Sequence, residues 1–309
     1  MPAMSLKISC ALLLLFLALM GSACSNDEPA VKVDLSRREH VSLEAAPKGV
    51  TYAYLPQYSH TISYARHHLL LEYLERATGL TLTQIFPDTF DQHMYMVREG
   101  KIDISFSNPF SYIQLARHGA QAFARIVETP GGEDFRGQLI CRAADENIRS
   151  IEDCRGKRWI AVDPSSAGGF LFVLGLFHKH GLSKRDFSEI AFAPGPGGKQ
   201  EKVVLSVYAG EYDIGSVRQG TLDLLKSRIN LDQIRVLAET QPYPGWVYAA
   251  RRDFDPSVTK RIADALFALD PNKPEDAVIL AAAGFTRIIP ATDADYDPVR
   301  ELAKQLGLQ

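Results

Sequence analysis

Two serines and a glycine pair in the stretch AVDPSSAGGFLF, residues 161–172, have the residue types and spacing of a small-anion site. An apolar strand ends at Asp163, and an apolar helix begins at Phe170. The amides that start a helix have no acceptor within it, and the helix dipole places positive potential beside them. Ser165 and Ser166 would add hydroxyl donors there. A second interpretation stays open, in which a serine only caps the helix and the glycines allow close packing.

The elements around this turn predict an α/β fold. From residue 49 onward, strand-like and helix-like stretches alternate, which indicates layers with largely parallel sheets. The helical segments at the carboxyl terminus have no sheet of their own, so we expect them to pack on the first half. The sequence therefore predicts a first lobe from residues 48–135 plus 246–309 and a second lobe from residues 136–245. Ligands in such architectures bind in the cleft between the lobes.

The amino terminus has the pattern of an export signal. Lys7 precedes an apolar run of about ten residues, which is too short to span a bilayer. Small residues then precede Cys24, and either ordinary signal cleavage or a bacterial lipoprotein route would start the mature chain there. We therefore expect residues 1–23 to be a signal peptide. The charged, aromatic-poor residues 24–47 are predicted to be a flexible tether from a lipid on Cys24, the only membrane attachment expected.

The cysteine count supports this interpretation of Cys24. Without the signal peptide the chain keeps Cys24, Cys141 and Cys154, and an odd thiol in an oxidising compartment needs an explanation. Lipidation of Cys24 supplies one. Cys141 and Cys154 could then form a disulfide, or they could remain reduced as buried apolar side chains, and both alternatives stay open.

Composition excludes several classes of function. The chain has 309 residues, a formal net charge of −3 and 46% hydrophobic residues, which is ordinary for a globular protein of about two domains. No basic stretch suits nucleic acid, and no catalytic signature is present, so we expect no nucleic-acid partner, no enzymatic activity and no cofactor. We expect the histidines to be solvated and the methionines to lie in the core, without a metal site. We also expect the protein to be a monomer. The imidazole and thioether side chains that could ligate copper belong to His60, His67, His68, His93, Met94 and Met96.

Three stretches of the chain resemble a known family when their order and spacing are considered together. They are EGKIDISFSNPFSYIQLA, IRSIEDCRGKRWIAVDPSSAGGFLF with HGLSKRDF, and VVLSVYAGEYDIGSVRQGTLDLL. The chain resembles the periplasmic substrate-binding proteins of phosphonate, phosphite and phosphate ABC transporters from about residue 49 to residue 308. The resemblance implies a type II periplasmic-binding-protein fold, a small anionic ligand, and an ABC transporter permease as partner. The alternative it implies is a periplasmic ligand-sensing partner of a membrane sensor kinase.

The resemblance also implies a set of ligand contacts. The family's Ser-Thr-Ser-Gly turn corresponds to Ser166, Ala167, Gly168 and Gly169, so two of its three hydroxyls are absent here, and Gln200 stands where the family often has a histidine. The helix amides remain, and they suit an oxyanion or a carboxylate. The other candidate ligand contacts lie at strand ends and helix starts: Tyr54, Ser107, Asn108, Ser111, Ser165, Arg136 and Arg218.

Each of these candidates has a structural alternative. Asn108 and its neighbours could cap a helix, and Tyr54 could pack at the cleft rim. A guanidinium at Arg218 could hold an oxyanion in two-point contact, but surface ion pairs are the commoner role of an arginine. Tyr243 and Trp246 flank the return crossing between the lobes, where they could form a wall of the pocket or pack the hinge.

Overall fold

The computed structural model describes residues 49–128 and 132–308, all within one structural unit. Within those ranges, no helix is both long and apolar enough to cross a lipid bilayer. The strands are β1 (Val50–Tyr54), β2 (Leu82–Ile85), β3 (Ile104–Ser107), β4 (Gln121–Val127), β5 (Asp134–Phe135), β6 (Gly137–Arg142), β7 (Arg158–Ala161), β8 (Glu189–Phe192), β9 (Ile214–Arg218), β10 (Ile234–Glu239), β11 (Tyr243–Pro244), β12 (Val247–Ala250) and β13 (Arg287–Pro290). The α-helices are α1 (His60–Thr78), α2 (Phe90–Arg98), α3 (Pro109–Ala116), α4 (Phe172–Lys179), α5 (Lys199–Tyr208), α6 (Pro256–Phe267), α7 (Pro274–Ala283) and α8 (Asp297–Gln305), with a π-helical turn at Ala167–Leu171.

The first sheet has six strands in the order β13-β4-β12-β3-β1-β2. β1 runs parallel to β2 and β3, whereas β12 is antiparallel to β3 and β4. Helices α6 and α7 pack against α1, and Tyr73 of α1 donates a hydrogen bond of 2.9 Å to the carbonyl of Ala265 in α6. We call this sheet with its helices the first lobe.

The second sheet has five strands in the order β10-β6-β9-β7-β8. β7 is parallel to β8 and β9, and β6 is antiparallel to β9 and β10. Trp159 of β7 is fully buried, and Phe170, Phe177 and Phe187 pack around it. We call this sheet with its helices the second lobe.

Two chain segments cross between the lobes, and they pair with each other. β5 precedes the second sheet and β11 follows it, and the two form a short antiparallel ladder in which Phe135 lies opposite Tyr243. Tyr243 also stacks on Phe172 of the second lobe, with ring centroids 4.0 Å apart. The lobe limits at residues 135 and 245 stay a prediction.

The expectation of largely parallel sheets was wrong, because both sheets are mixed. β4 follows the parallel strands β1 to β3 and leads through β5 into the second sheet, and β12 is the strand that returns from it. In the first sheet, β4 is therefore antiparallel to β12 and β13, and β12 is also antiparallel to β3. β6 and β10, which border the crossings in the second sheet, are antiparallel for the same reason. Strand direction here follows the crossings between the sheets, which local hydrophobic patterning does not encode.

The last helix contacts both lobes. Val299 and Leu302 of α8 lie in a hydrophobic core that includes strands β1, β3 and β12 of the first sheet, and the assignment of α8 to the first lobe stays a prediction. A β-carbon built on Gly175 of α4, in the second lobe, would lie 2.6 Å from Leu302 Cδ1. Gly175 therefore allows α8 to pack closely on the second lobe as well.

Candidate functional site

Three candidate side chains meet at one edge of the first sheet. Tyr54 ends β1, Ser107 ends β3, and Trp246 immediately precedes β12. Because β1 and β3 are parallel and β12 is antiparallel to β3, the two carboxyl ends and the start of β12 lie together, with Val247 opposite Ser107. The rings of Tyr54 and Trp246 are 5.6 Å apart between centroids, and all three side chains are buried.

Two of these side chains carry buried donors that have no acceptor. Among the described residues, neither Ser107 Oγ nor Trp246 Nε1 has a hydrogen-bond partner. The hydroxyl of Tyr54 accepts a hydrogen bond from the side-chain amide of Gln57, so its own proton stays available. Burial, then the neighbouring Tyr58, raises the pKa of Tyr54, which keeps that hydroxyl protonated. A buried unsatisfied polar group costs about 1–3 kcal/mol, so this edge favours a ligand that is rich in acceptors.

The start of α3 contacts the second lobe directly. Asn108 caps α3 by accepting hydrogen bonds from the amides of Phe110 and Ser111. Its Nδ2 and the Ser111 hydroxyl each donate 3.1 Å hydrogen bonds to the carbonyl of Ser165. In this structure, Asn108 and Ser111 therefore serve both as a helix cap and as a clamp on the turn of the second lobe.

The turn at residues 163–169 combines capping, close packing and free amides. Ser166 caps the helix by accepting a 3.1 Å hydrogen bond from the amide of Gly169. A β-carbon on Gly169 would lie 2.4 Å from Val162, and one on Gly168 would lie 3.1 Å from both Arg218 Cβ and Phe135 Cζ. Among the described residues, the amides of Ala167 and Gly168 have no acceptor. The turn thus has the helix cap and close glycine packing of one interpretation and the free amides that the anion-site interpretation needs.

A buried ion pair beside this turn was missed from the sequence. Lys199, the first residue of α5, lies 2.6 Å through Nζ from Asp163 Oδ2, and the two side chains are 11% and 10% exposed. Oδ1 of Asp163 accepts from the amide of Ser165. The Lys199 ammonium also lies 5.7 Å from the ring centroid of Phe90 in the first lobe. The available signal was a lysine at a helix start, where the helix dipole disfavours positive charge.

Gln200 connects α5 to the end of β9. Its side-chain carbonyl accepts a 3.0 Å hydrogen bond from the amide of Arg218 and a 3.4 Å hydrogen bond from the hydroxyl of Thr221. Gln200 is buried. At the position where the family often has a histidine, this side chain thus supports the strand that carries Arg218.

Arg218 is engaged by the protein on all sides of its guanidinium. Nη2 lies 2.6 Å from Glu128 Oε1, Nη1 lies 3.5 Å from Gln57 Oε1, and Nε lies 3.4 Å from the carbonyl of Gln219. Burial acts to lower the pKa of Arg218, but the carboxylate of Glu128 and the neighbouring tyrosines outweigh it, so the net shift is upward. These three contacts use three of the five N–H donors of the guanidinium, so the two-point contact with a ligand stays a prediction.

Arg136 and Tyr243 belong to the crossings between the lobes. Arg136 donates a 2.9 Å hydrogen bond from Nη1 to the carbonyl of Thr240, which connects the start of β6 to the segment after β10. Tyr243 is buried in the stack on Phe172, and its hydroxyl accepts from Gln241. Of the two aromatic residues that flank the return crossing, Trp246 lies beside Tyr54, whereas Tyr243 packs in the core.

A known protein family matches most of this chain. A family model described as ABC transporter, phosphonate, periplasmic substrate-binding protein matches residues 52–296. The chain belongs to this family. It is therefore a periplasmic component of a transport system and not a member of an enzyme family.

Individual relatives agree with this assignment. The phosphate-import protein PhnD of Mycolicibacterium smegmatis is 26% identical, over 94% of this chain and 93% of that protein. The structure of PhnD1 from Prochlorococcus marinus in complex with methylphosphonate has a TM-score of 0.74 at 16% identity, over 85% of this chain and 100% of that chain. A binding protein component of an ABC phosphonate transporter from Pseudomonas aeruginosa has a TM-score of 0.72 at 18% identity, over 84% and 86% of the two chains. The expected type II periplasmic-binding-protein fold is confirmed.

Two histidines and two cysteines named in the sequence analysis are buried. His67 and His93 are fully buried, so the expectation of solvated histidines was wrong for these two. Within the described residues, no group of three or more His, Cys, Asp or Glu side chains could hold a metal ion. Cys141 and Cys154 are buried free thiols in this structure, as in the second alternative given above. Cys24, the signal peptide and the tether lie outside the described residues.

Proposed function

We propose that this protein binds a small oxyanion of phosphorus, of the phosphonate, phosphite or phosphate class, and delivers it to an ABC transporter permease. The observation that carries the proposal is the pair of buried donors without acceptors, Ser107 Oγ and Trp246 Nε1. Both are donors, and a tetrahedral oxyanion presents several acceptors in a small volume. Family membership supports the same class of ligand.

The second lobe would complete the ligand's hydrogen bonds. The amides of Ala167 and Gly168 start a continuous helical segment that runs through α4, so they carry positive potential and suit an anion. The hydroxyl of Tyr54 adds a donor from the first lobe, and Ser165 and Ser166 shape the turn. A ligand that contacts both lobes favours the closed form, because only unequal affinity for two conformations can shift their populations.

Two relatives make this ligand class the natural first choice. The Mycolicibacterium smegmatis protein is a phosphate-import protein, and the Prochlorococcus marinus structure holds methylphosphonate. In the present chain, the Ser166-Ala167-Gly168-Gly169 turn offers fewer hydroxyls than the family pattern. Trp246 and Ser107 supply side-chain donors from the opposite wall.

Calorimetric titration of the mature chain with methylphosphonate, phosphite, phosphate and sulfate tests the proposal. We expect saturable binding of at least one phosphorus oxyanion. Trp246→Phe keeps the ring and removes the donor, and Ser107→Ala removes the hydroxyl, so each should weaken binding about tenfold or more. Ser105→Ala is the matched control, because the Ser105 hydroxyl is bonded to His93 at 2.7 Å. Wild-type protein that binds none of these anions, or full affinity in both variants, would refute the proposal.

We also propose that a lipid on Cys24 anchors the protein in the membrane, as the residues before it indicate. The test is expression of the full chain in a bacterial host with radiolabelled palmitate. Wild-type protein should incorporate label and sediment with membranes, and Cys24→Ser should do neither. An unlabelled wild-type protein in the soluble periplasmic fraction would show ordinary signal cleavage.

A further inference from the structure

Positive charge at the cleft is already balanced by carboxylates. Lys199 pairs with Asp163, and Arg218 pairs with Glu128, each at 2.6 Å. The other groups that we assign to the ligand are hydroxyls, an indole N–H and backbone amides, all of them neutral. A bound anion would therefore be held mainly by dipoles, because Lys199 and Arg218 are each compensated by a carboxylate.

The Arg218–Glu128 pair lines a cavity of about 260 Å³ where the lobes meet, and the charges around that cavity also balance. Arg66 from α1 and Asp223 from the turn after β9 line the same cavity. The Arg66 guanidinium lies 5.0 Å from the ring centroid of Tyr58. Two guanidinium groups and two carboxylates give this cavity a formal charge of zero.

A cleft with balanced charge distinguishes ligands by their own charge. The hydration free energy lost on enclosing an ion rises with the square of its charge, whereas its attraction to fixed dipoles rises only in proportion to the charge. We propose that Glu128 determines the charge of the ligand, because by neutralising Arg218 it makes the cleft select a singly charged phosphorus oxyanion over a doubly charged one. This inference rests on the proposed function and adds the charge state of the ligand and the residue that sets it.

Glu128 has this role, and Asp163 does not, because of where each carboxylate is held. Both oxygens of Asp163 are used within the second lobe, one by the amide of Ser165 and one by Lys199. Glu128 follows β4 in the first lobe and meets Arg218 at the end of β9 in the second lobe. The Glu128–Arg218 ion pair therefore joins the two lobes, whereas the Asp163–Lys199 ion pair lies within one lobe.

Phosphite and hypophosphite test the proposal, because at mildly alkaline pH they carry two charges and one charge on similar phosphorus centres. The quantity to measure is the ratio of their dissociation constants, obtained by calorimetry on the mature chain. A change in lobe closure alone weakens both ligands equally and leaves this ratio unchanged. In wild-type protein, we expect hypophosphite to bind more tightly than phosphite.

Variants at the ion pair should move this ratio in opposite directions. Glu128→Gln should shift the ratio of dissociation constants about tenfold in favour of phosphite. Removing one nearby negative charge removes twice as much electrostatic repulsion from a dianion as from a monoanion. Arg218→Gln should shift it towards hypophosphite. The double variant carries no unpaired charge and should return close to the wild-type ratio. Glu146→Gln, at an exposed ion pair with Arg149, is the control and should leave the ratio within about twofold.

The outcomes separate this inference from the proposed function. Wild-type protein that binds neither anion, and also neither methylphosphonate nor phosphate, would count against the proposed function itself. Wild-type protein that binds methylphosphonate or phosphate but neither of the two test anions would overturn only the role of Glu128. Wild-type protein that prefers phosphite, or an unchanged ratio in Glu128→Gln and Arg218→Gln, would overturn only the role of Glu128. If Glu128→Gln does not fold, the double variant and Arg218→Gln still decide the question, because Arg218→Gln should shift the ratio towards hypophosphite and the double variant should return it close to wild type; the same shift in both would overturn the role of Glu128.

Discussion

Acid should destabilise this protein through two buried imidazoles, His67 and His93. His67 Nδ1 lies 2.8 Å from the hydroxyl of Tyr52, and His93 Nε2 lies 2.7 Å from the hydroxyl of Ser105. Both side chains are fully buried, and no carboxylate within the described part of the chain is bonded to either ring. Burial, with Arg66 as a smaller contribution for His67, lowers the pKa of each to about 3. Both imidazoles are therefore neutral in the folded protein.

The size of the effect follows from proton linkage. The pKa of each imidazole falls from 6.5 in the unfolded chain to about 3 in the folded protein. Below pH 6.5 the unfolded chain therefore binds more protons, and the stability contributed by the neutral histidines is lost as the pH falls towards 3. Each buried imidazole should contribute a slope of about 1.4 kcal/mol per pH unit, and the two together about 2.7 kcal/mol per pH unit.

Urea unfolding followed by tryptophan fluorescence measures this slope directly. The useful window is about pH 5 to 6, above the range in which ordinary carboxylates titrate. Replacing either histidine with glutamine should lower stability and also reduce the slope by about 1.4 kcal/mol per pH unit. His118→Gln is the control, because that side chain is exposed, and it should leave the slope unchanged. A wild-type slope retained in both buried variants would refute the reasoning, since the imidazoles would then protonate without unfolding.

Three further predictions follow from close contacts. Gly169→Ala should destabilise the protein by about 1–3 kcal/mol in urea, because its β-carbon would lie 2.4 Å from a valine side chain, and an unchanged midpoint would show that the turn relaxes freely. Lys199→Gln should cost about 3–5 kcal/mol by leaving Asp163 buried without its partner, and a thermal melt within a degree or two of wild type would contradict this. Cys141 and Cys154 should react with a thiol reagent only after unfolding, because both are buried and burial raises the pKa of Cys154 to about 12. Failure of both thiols to react in denaturant would instead indicate a disulfide.

Local sequence patterns predicted the parts of the site that local structure determines. The turn after Asp163 and the start of α3 at Asn108 follow from strand patterns that end in small polar residues before an apolar helix. Tyr54 and Ser107 could be placed at strand ends because parallel strands share one carboxyl edge. The prediction that Cys24 carries a lipid rests on residues outside the described part of the chain and stays a prediction.

Long-range pairing is what the sequence could not supply. Arg218 and Glu128 are 90 residues apart, and nothing near either residue indicates the other. An arginine at a strand end suits an anion contact and an ion pair equally well, so the choice depends on which carboxylate the fold brings to it. Trp246 Nε1 has no partner among the residues that the structure describes, and this is a property of the assembled cleft, since it depends on all the described elements packed around the indole.

The contacts between the lobes explain why ligand binding would control closure. The hydrogen bonds from Asn108 and Ser111 to Ser165 form between the lobes when the cleft closes. In the same structure, Ser107 Oγ and Trp246 Nε1 are buried without acceptors among the described residues, at a cost of about 1–3 kcal/mol each. An anion that satisfies both donors removes the cost in the closed form alone, and this unequal affinity shifts the protein towards closure.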